Sequence, residues 1–244
     1  IVQIDEISTT PSGVMKNRLE TATGPQEQNS AIAVKCCWLD SDKKYCTGVH
    51  FLSGCGFIPP LIFIKGKGRL ECEEHDLNVV ATPKGCSTSS IFSRFVVQHV
   101  KVHCPTCKLV VMDSASSHVT PEVTQAFLHA GIMVLTLPGG TTSYAQVLDT
   151  SYFSMYRRTH HEIASRSIDE LGVDAFSRMS EKQKRRVLFA IVLLASQITY
   201  NKIAPLIEQL FVDHGYLRPS PEPIRLRNLP DYKYVPCDEF YVST

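Results

Sequence analysis

Aspartates follow two apolar segments of the sequence, and a third lies in a segment with a helical pattern. Asp5 closes the β-branched segment at the start of the chain, Asp113 directly follows the apolar run Leu109–Met112, and Asp149 lies in the helical segment. In open α/β sheets, ligand chemistry gathers beyond the carboxyl ends of the strands, and a divalent cation keeps neighbouring carboxylates ionised there. Two such cations activate water and stabilise a leaving phosphate oxygen, so these acids are candidates for phosphodiester chemistry.

A second interpretation of each acid stays open at this point. An Asp after a strand also forms turns and caps helices, and composition and periodicity alone do not select three acids out of 24.

The elements that must position these acids alternate between strand and helix. Apolar runs predict further strands at 31–39, 45–52, 61–64 and 132–137. A capping segment predicts a helix over 91–100, and Thr120 followed by Pro121 predicts the start of another helix, which Gly131 ends. Strands separated by such a helix form a right-handed β–α–β unit. After Ser143 the pattern is mainly helical to about Tyr216, so we expect an α/β fold with a mixed sheet flanked by helices.

Length and composition indicate a folded protein, and the cysteine pattern indicates one that resides in a reducing compartment. The chain has 244 residues, 43% of them hydrophobic, with 25 Lys and Arg against 24 Asp and Glu. This balance excludes a generally basic nucleic-acid binder but not a local basic face. The longest apolar run, 187–195, is too short to span a membrane, so we expect no membrane association. The nine cysteines are irregularly spaced, and Cys104 and Cys107 are a weak candidate for a zinc site.

Several segments, taken in order, resemble one family. They are Ile4-Asp-Glu6, Ile58-Pro-Pro-Leu-Ile-Phe-Ile-Lys-Gly66, Leu109-Val-Val-Met-Asp-Ser-Ala-Ser-Ser-His118, Val134-Leu-Thr-Leu-Pro-Gly-Gly-Thr-Thr142, Gln146-Val-Leu-Asp149 and two segments between 199 and 215. The set resembles the DDE-superfamily endonuclease domain of pogo/Tigger/jerky-type transposases over about residues 1 to 220. Thirty-five residues lie between Asp113 and Asp149, which fits a third acid on the helix after the fifth strand of a ribonuclease-H-like fold.

The resemblance implies a fold and a domain layout. The fold is a ribonuclease-H-like mixed five-stranded sheet flanked by helices, with a helical C-terminal extension. Residues 1–160 would form the catalytic core, 161–217 a helical part of the same domain, and 218–244 an extended tail. Because the chain starts at Ile1 and lacks a helix-turn-helix pattern, we expect the DNA-reading domain to lie outside this segment.

The resemblance also implies a site and an activity. Asp5, Asp113 and Asp149 would be the catalytic, metal-binding acids of a nuclear DNA endonuclease and strand-transfer enzyme that uses two Mg²⁺ or Mn²⁺ ions. Asp5 and Asp149 would hold one ion, and Asp113 would bridge both. His118 and Gln146 would contact DNA near the acids. A homodimer is compatible with this family.

Basic residues near Gly-rich and helical segments are candidates for phosphate contacts. They are Lys65, Lys67, Arg69, Arg157 and Arg158. Charged runs of this kind are more commonly solvated faces, and that alternative stays open. The residue after Asp5, Glu6, is expected to point to the opposite face of its strand and to take no part in the site.

Departures from the family pattern favour an alternative function. Ser114 stands where the family mostly has Asn, Gly139–Gly140 replaces Pro-Asn, and Val147 replaces a Pro. The normally basic segment before the second strand is reduced to 24–29, without Lys or Arg. The alternative is a domesticated, catalytically inactive transposon-derived module for nuclear DNA binding or protein interaction.

Overall fold

The computed structural model describes residues 1–9, 46–66, 71–74 and 77–217. Its strands form one sheet, and we number them along the chain. They are β1 (Val2–Thr9), β2 (Cys46–Ser53), β3 (Leu61–Lys65), β4 (Glu71–Glu74), β5 (Leu77–Thr82), β6 (Leu109–Met112) and β7 (Met133–Thr136). The order across the sheet is β4-β5-β3-β2-β1-β6-β7. The sheet is mixed, since β1 pairs antiparallel with β2 and parallel with β6.

The helices follow the same chain order. They are α1 (Ser89–Ile91), α2 (Val97–His103), α3 (Pro121–His129), α4 (Thr142–Ala145), α5 (Phe153–Leu171), α6 (Val173–Ser177), α7 (Glu181–Ile203) and α8 (Ile207–Asp213). Wide, π-helical turns at Phe92–Val96 and Leu148–Tyr152 lead directly into α2 and α5, and a 3₁₀ turn, Ala204–Leu206, joins α7 to α8.

The prediction of a mixed sheet flanked by helices is confirmed, but the predicted number of five strands is wrong. Seven strands lie in the described sheet, because β4 and β5 extend it beyond β3. Neither β4 nor β5 was predicted from the sequence. β4 is an acidic segment without the apolar alternation that marks a strand, and β5 contains only a short apolar core.

The predicted strands and helices mostly lie where they were expected. The strands at 45–52, 61–64, 109–112 and 132–137 and the helix after Thr120 are present. The Thr120 side chain accepts a hydrogen bond from the backbone N–H of Val123, and Pro121 begins α3. The strand predicted at 31–39 and the tail 218–244 lie outside the described residues. α5 runs unbroken through position 160, so no structural boundary separates the predicted core from its helical extension.

Each face of the sheet packs against its own helices. Even-numbered residues of β1, such as Val2 and Ile4, join a core with α2 and α3 that includes Val100 and Phe127. On the other face, Leu52 of β2 packs with residues of the Leu148–Tyr152 turn, α5, α7 and α8. The alternation of side chains along β1 therefore sends successive residues into two different layers.

Helix α7 belongs to this second layer. Leu188, Phe189 and Val192 of α7 pack on β2, β3 and β5. The helical segment Lys182–Asp213 is 32 residues long and contains an 18-residue window with a mean hydropathy of 1.5, half of which is buried inside the protein. By length and composition alone, it could cross a membrane. In the described structure this segment contributes to the core.

Truncating the core between the sheet and α3 should destabilise the protein. Phe127 is 0% exposed, whereas its neighbour Leu128 is 63% exposed. We expect Phe127→Ala to lower the free energy of unfolding by about 3–5 kcal/mol, because it removes buried apolar area and leaves a cavity. Leu128→Ala is the control, with a change within about 0.5 kcal/mol. Urea unfolding of both variants measures the difference, and equal effects would contradict this packing.

Candidate functional site

Strand pairing brings two of the three predicted acids to the same edge of the sheet. β1 and β6 run parallel, with Val2 beside Val110 and Gln3 beside Val111. Continuing this register by two residues places Asp113, just after β6, beside Asp5 in β1. Asp5 lies within β1, which continues to Thr9, and not at its end as the sequence predicted, so the two acids meet beside the carboxyl end of β6. The carboxyl ends of strands are the usual position of ligand chemistry in such sheets.

The third acid is carried by the turn Leu148–Tyr152, which is tied to the backbone and side chains of β1. The backbone N–H of Leu148 donates to the Gln3 side-chain oxygen at 3.2 Å, and the Gln146 side-chain nitrogen donates to the Ile4 carbonyl at 3.3 Å. Asp149, one residue after Leu148, is thereby held on the face of β1 that carries Asp5.

Gln146 therefore has a different place from the one predicted for it. It is 0% exposed and lies between the turn and β1, with its side chain directed at the Ile4 backbone. This burial favours a role in positioning Asp149 over the direct DNA contact that the sequence suggested.

Asp5 is a buried acid among other acids. It is 8% exposed. Burial, followed by the charges of Asp149 and Asp113, raises its pKa from 3.8 to about 7, against the lowering effects of the Glu6 backbone N–H and the His118 charge. That N–H donates to the Asp5 carboxylate at 2.7 Å. Near neutral pH, Asp5 is thus poised between its protonated and ionised forms.

Asp149 shares this environment. Burial raises its pKa, and the nearby Asp113 charge adds to the rise, while the Arg157 guanidinium and a hydrogen bond with the Asp5 carboxyl act in the opposite direction. The charge of Asp113 acts on the pKa of both Asp5 and Asp149, and that of Asp149 acts on Asp5, so the three carboxyls lie within electrostatic reach of each other.

His118 joins the strand-end acid to a residue that the sequence analysis had set aside. Its Nδ1 lies 2.5 Å from an Asp113 carboxylate oxygen, and its Nε2 lies 3.3 Å from a Glu6 carboxylate oxygen. His118 is 2% exposed, and its ring centroid lies 4.4 Å from that of Phe92. Ser87 donates its hydroxyl to the same Glu6 oxygen.

These contacts set the charge states on both sides of the pair. Burial opposes the charged form of His118, but its hydrogen bonds with Asp113 and Glu6 outweigh this and raise its pKa to about 9. Burial also acts to raise the pKa of Asp113, but the hydrogen bond and charge of His118, with the Ala115 backbone N–H, hold that pKa below its usual value. At neutral pH the structure favours an imidazolium between two carboxylates.

Glu6 was predicted from strand alternation to take no part in the site, but it contacts His118. The alternation does place Glu6 on the face opposite Asp5. His118, however, reaches over the end of β6 and contacts both Asp113 and Glu6. A site at the edge of a sheet collects side chains from both faces. Ser87, which lies in a loop remote in sequence, left no signal that could have identified it.

The predicted phosphate-binding residues are only partly placed. Lys65 is exposed at the carboxyl end of β3, which is parallel to β1, so it lies at the same end of the sheet as the acids. Arg157 and Arg158 are exposed on α5, and the charge of Arg157 reaches Asp149. Lys67 and Arg69 lie outside the described residues.

The donor chemistry suits a hard cation, but the described side chains are not gathered around one. Three carboxylates, one of them buried and carrying a raised pKa, are the ligand set that Mg²⁺ or Mn²⁺ prefers. Across residues 1–9, 46–66, 71–74 and 77–217, however, no group of three or more His, Cys, Asp or Glu side chains is close enough to hold a metal ion. One oxygen of Asp113 faces His118 instead. Cys104 and Cys107, the candidate zinc ligands, are buried free thiols.

Comparison of the sequence with known proteins gives no match: no protein-family model matches the chain, and no curated protein matches it.

Because the pKa of Asp5 is raised, Asp5 should lower the free energy of unfolding at high pH. Replacing it with Asn should remove this destabilisation. A group whose folded pKa is about 7 against 3.8 contributes stability that is fully present below 3.8 and is lost as pH rises through 7. We expect Asp5→Asn to be more stable than wild type at about pH 8, on the order of 4 kcal/mol at most, and much less so at about pH 5.

Urea unfolding in EDTA at both pH values measures this difference. The variant must be compared with wild type at each pH, because burial lowers the pKa of His50, His99 and His160 and makes their contributions change in the opposite direction. Asp169→Asn, at an exposed position on α5, is the matched control. An Asp5→Asn effect that is the same at both pH values would contradict the raised pKa.

Proposed function

We propose that the chain is a metal-dependent endonuclease and strand-transfer domain of the DDE transposase type that acts on DNA phosphodiester bonds. The observation that carries this proposal is the convergence of Asp5, Asp113 and Asp149 at the carboxyl edge of a mixed sheet, where each acid influences the pKa of another. The resemblance of the surrounding sequence segments to that family supports the same function.

The strand arrangement supports the fold that goes with this function. Within the order β3-β2-β1-β6-β7, only β2 is antiparallel to the others. We propose that these five strands are the ribonuclease-H-like core and that β4 and β5 are an addition at its edge. The third acid lies on the helical turn that follows β7, in the place that the resemblance implies.

The cofactor is proposed to be a pair of Mg²⁺ or Mn²⁺ ions. Bound ions of this kind supply an activated water and stabilise the leaving oxygen of a phosphodiester. Asp5 and Asp149 would hold one ion and Asp113 would be shared. Asp5 must lose its proton for this role, and its pKa of about 7 makes that loss available near neutral pH.

The remaining residues of the site position and compensate the acids. His118 fixes the orientation of the Asp113 carboxylate through a 2.5 Å contact and is itself held by Glu6. Asp113 is kept ionised by this pair, which is the state a metal ligand needs. Gln146 holds the turn that carries Asp149.

Binding of DNA would use the basic residues around this edge. Arg157 lies close enough to lower the pKa of Asp149, and its guanidinium suits a phosphate oxygen bordering the acids. Lys65 is proposed to contact the backbone further along the same end of the sheet. Sequence-specific recognition is assigned to a domain outside this segment, the compartment is proposed to be the nucleus, and a homodimer is the compatible assembly.

Loss of one acid should abolish DNA cleavage. We expect Asp113→Asn to lower the rate of plasmid nicking in Mg²⁺ or Mn²⁺ by about 100-fold or more, because a lost metal ligand removes several kcal/mol of transition-state stabilisation. Asp169→Asn, an exposed acid outside the site, should nick at the wild-type rate. Nicking that is equal in wild type and Asp113→Asn, or that persists in EDTA, would refute the catalytic assignment.

A second function is favoured by a specific observation. The described acids are not gathered in ligating geometry, and an Asp113 oxygen is engaged by the buried His118. Together with the net charge of +1 and the altered flanking segments, this favours a domesticated, catalytically inactive module for nuclear DNA binding or protein interaction.

Calorimetric titration with Mn²⁺ separates the two functions. An active site should bind Mn²⁺ with an affinity that Asp5→Ala lowers by about tenfold or more and that rises with pH through about 7, since Asp5 must be ionised to bind. Wild-type binding no tighter than that of Asp5→Ala would support the inactive module.

A further inference from the structure

A group of thiols and hydroxyls lies at the end of the sheet opposite the acids. Ser53, at the end of β2, pairs with Val2 at the start of β1, so Cys55 lies just beyond the amino-terminal end of β1. Cys104 and Cys107 lie in the loop between α2 and β6, at the amino-terminal end of β6. The site proposed for phosphodiester chemistry uses none of these side chains.

The group is held together by contacts between two chain segments, the end of β2 and the loop between α2 and β6. The Cys55 and Cys104 thiols lie close enough for each to shift the pKa of the other. The Cys104 sulfur lies 3.7 Å from the Ser53 hydroxyl, and the Cys55 sulfur lies 3.7 Å from the Thr106 hydroxyl. The Ser53 hydroxyl also accepts a hydrogen bond from the Cys55 backbone N–H at 3.0 Å. The two sulfurs are thus adjacent although 49 positions separate them in the chain.

The two thiols differ in access to solvent. Cys55 is exposed, whereas Cys104 is 1% exposed. A small oxidant can therefore reach the Cys55 sulfur far more readily than that of the buried Cys104. An exposed thiol with a buried thiol in contact is the arrangement of a sulfur that reacts first and a sulfur that resolves the product.

The local hydrogen bonds also make Cys55 the more reactive of the two. The hydrogen bond from the Thr106 hydroxyl, followed by that from the Cys104 thiol, lowers the pKa of Cys55. Burial, followed by the effect of the neighbouring Cys55, raises the pKa of Cys104. Thiolate character is therefore concentrated on the exposed sulfur, and the thiolate is the nucleophile in such reactions.

We propose that Cys55 and Cys104 form a reversible, hydroperoxide-sensitive dithiol, in which Cys55 is oxidised first and Cys104 closes a disulfide with it. The site takes a small hydroperoxide as its oxidant, and two molecules of a low-molecular-weight thiol return it to the dithiol as they form their own disulfide. The inference does not depend on the function proposed for the acids at the other end of the sheet.

The chemistry balances in two steps. The Cys55 thiolate attacks the terminal oxygen of the hydroperoxide, so an S–O bond forms, the O–O bond breaks, and the alcohol or water that leaves takes up the proton that the thiol released. The Cys104 sulfur then attacks the Cys55 sulfenic acid, so the S–S bond forms and the S–O bond breaks. The departing hydroxide takes the Cys104 proton and leaves as water. Two thiols are oxidised and one hydroperoxide is reduced.

The disulfide would connect the loop that follows β2 to the end of α2. Cys55 follows β2, and Cys104 immediately follows α2. Cys107, also buried, donates its thiol to the Leu109 carbonyl at 3.4 Å and is oriented toward β6. This orientation favours Cys104, not Cys107, as the partner of Cys55.

Mass spectrometry of the oxidised chain tests the proposal. The reduced protein is exposed to stoichiometric hydrogen peroxide in EDTA, quenched with N-ethylmaleimide and digested with trypsin. We expect the peptide 45–65, which contains Cys55, to be linked to the peptide 102–108, which contains Cys104, and the link to disappear after dithiothreitol. Because these peptides also contain Cys46 and Cys107, variants are needed to assign the bond.

The variants give each cysteine a distinct expected result. Cys55→Ser, at an exposed position that should not disturb folding, should lose the link. Cys104→Ser should lose it as well and accumulate a Cys55 sulfenic acid that dimedone traps, which a merely structural thiol would not show. Cys107→Ser is the matched control and should keep the link. A link that persists in Cys55→Ser, a link made by Cys107, or oxidation of Cys55 without any disulfide would overturn the proposal.

Discussion

The parallel pairing of β1 with β6 is the constraint on which the rest of the structure depends. Its register, with Gln3 beside Val111, places Asp5 and Asp113 side by side at one end of the sheet and Cys55 and the Cys104 loop at the other. A slip of one residue would turn every side chain of β1 to the opposite face. Burial of Val2 and Ile4 on one face, with Gln3 hydrogen-bonded on the other, fixes the register against such a slip.

This arrangement places carboxylates that repel one another close together at the acidic edge. Folding buries Asp5 beside two other acids, and the structure offsets the charge in two ways: it raises the pKa of Asp5 and it places the His118 imidazolium against Asp113. A structural ion pair would be complete with His118 and Asp113 alone. Among the described residues, the bases whose charges lower the pKa of these acids are His118, already bonded to Asp113, for Asp5 and the exposed Arg157 for Asp149. A perturbed acid retained without a base of its own indicates a functional site.

The sequence predicted the parts of this fold that local physics determines. The apolar run before Asp113, the Thr120 cap with Pro121, and the helical pattern after Ser143 each carry a short-range signal, and each element is present. β4 was not predictable in the same way, since its acidic residues become a strand only because β5 supplies a partner. Edge pairing of this kind is a tertiary effect that overrides local propensity.

The candidate site was predictable in its acids but not in its supporting contacts. The resemblance selected Asp5, Asp113 and Asp149. It did not reveal that His118 links Asp113 to Glu6, because His118 and Glu6 lie 112 positions apart in sequence and meet only where the two faces of the sheet come together. The resemblance implied that Gln146 contacts DNA near the acids. In the structure, Gln146 is buried and donates a hydrogen bond to the Ile4 carbonyl of β1. The sequence therefore shows which side chains lie near an acid, but only the fold shows whether they are exposed to a ligand or buried against another element.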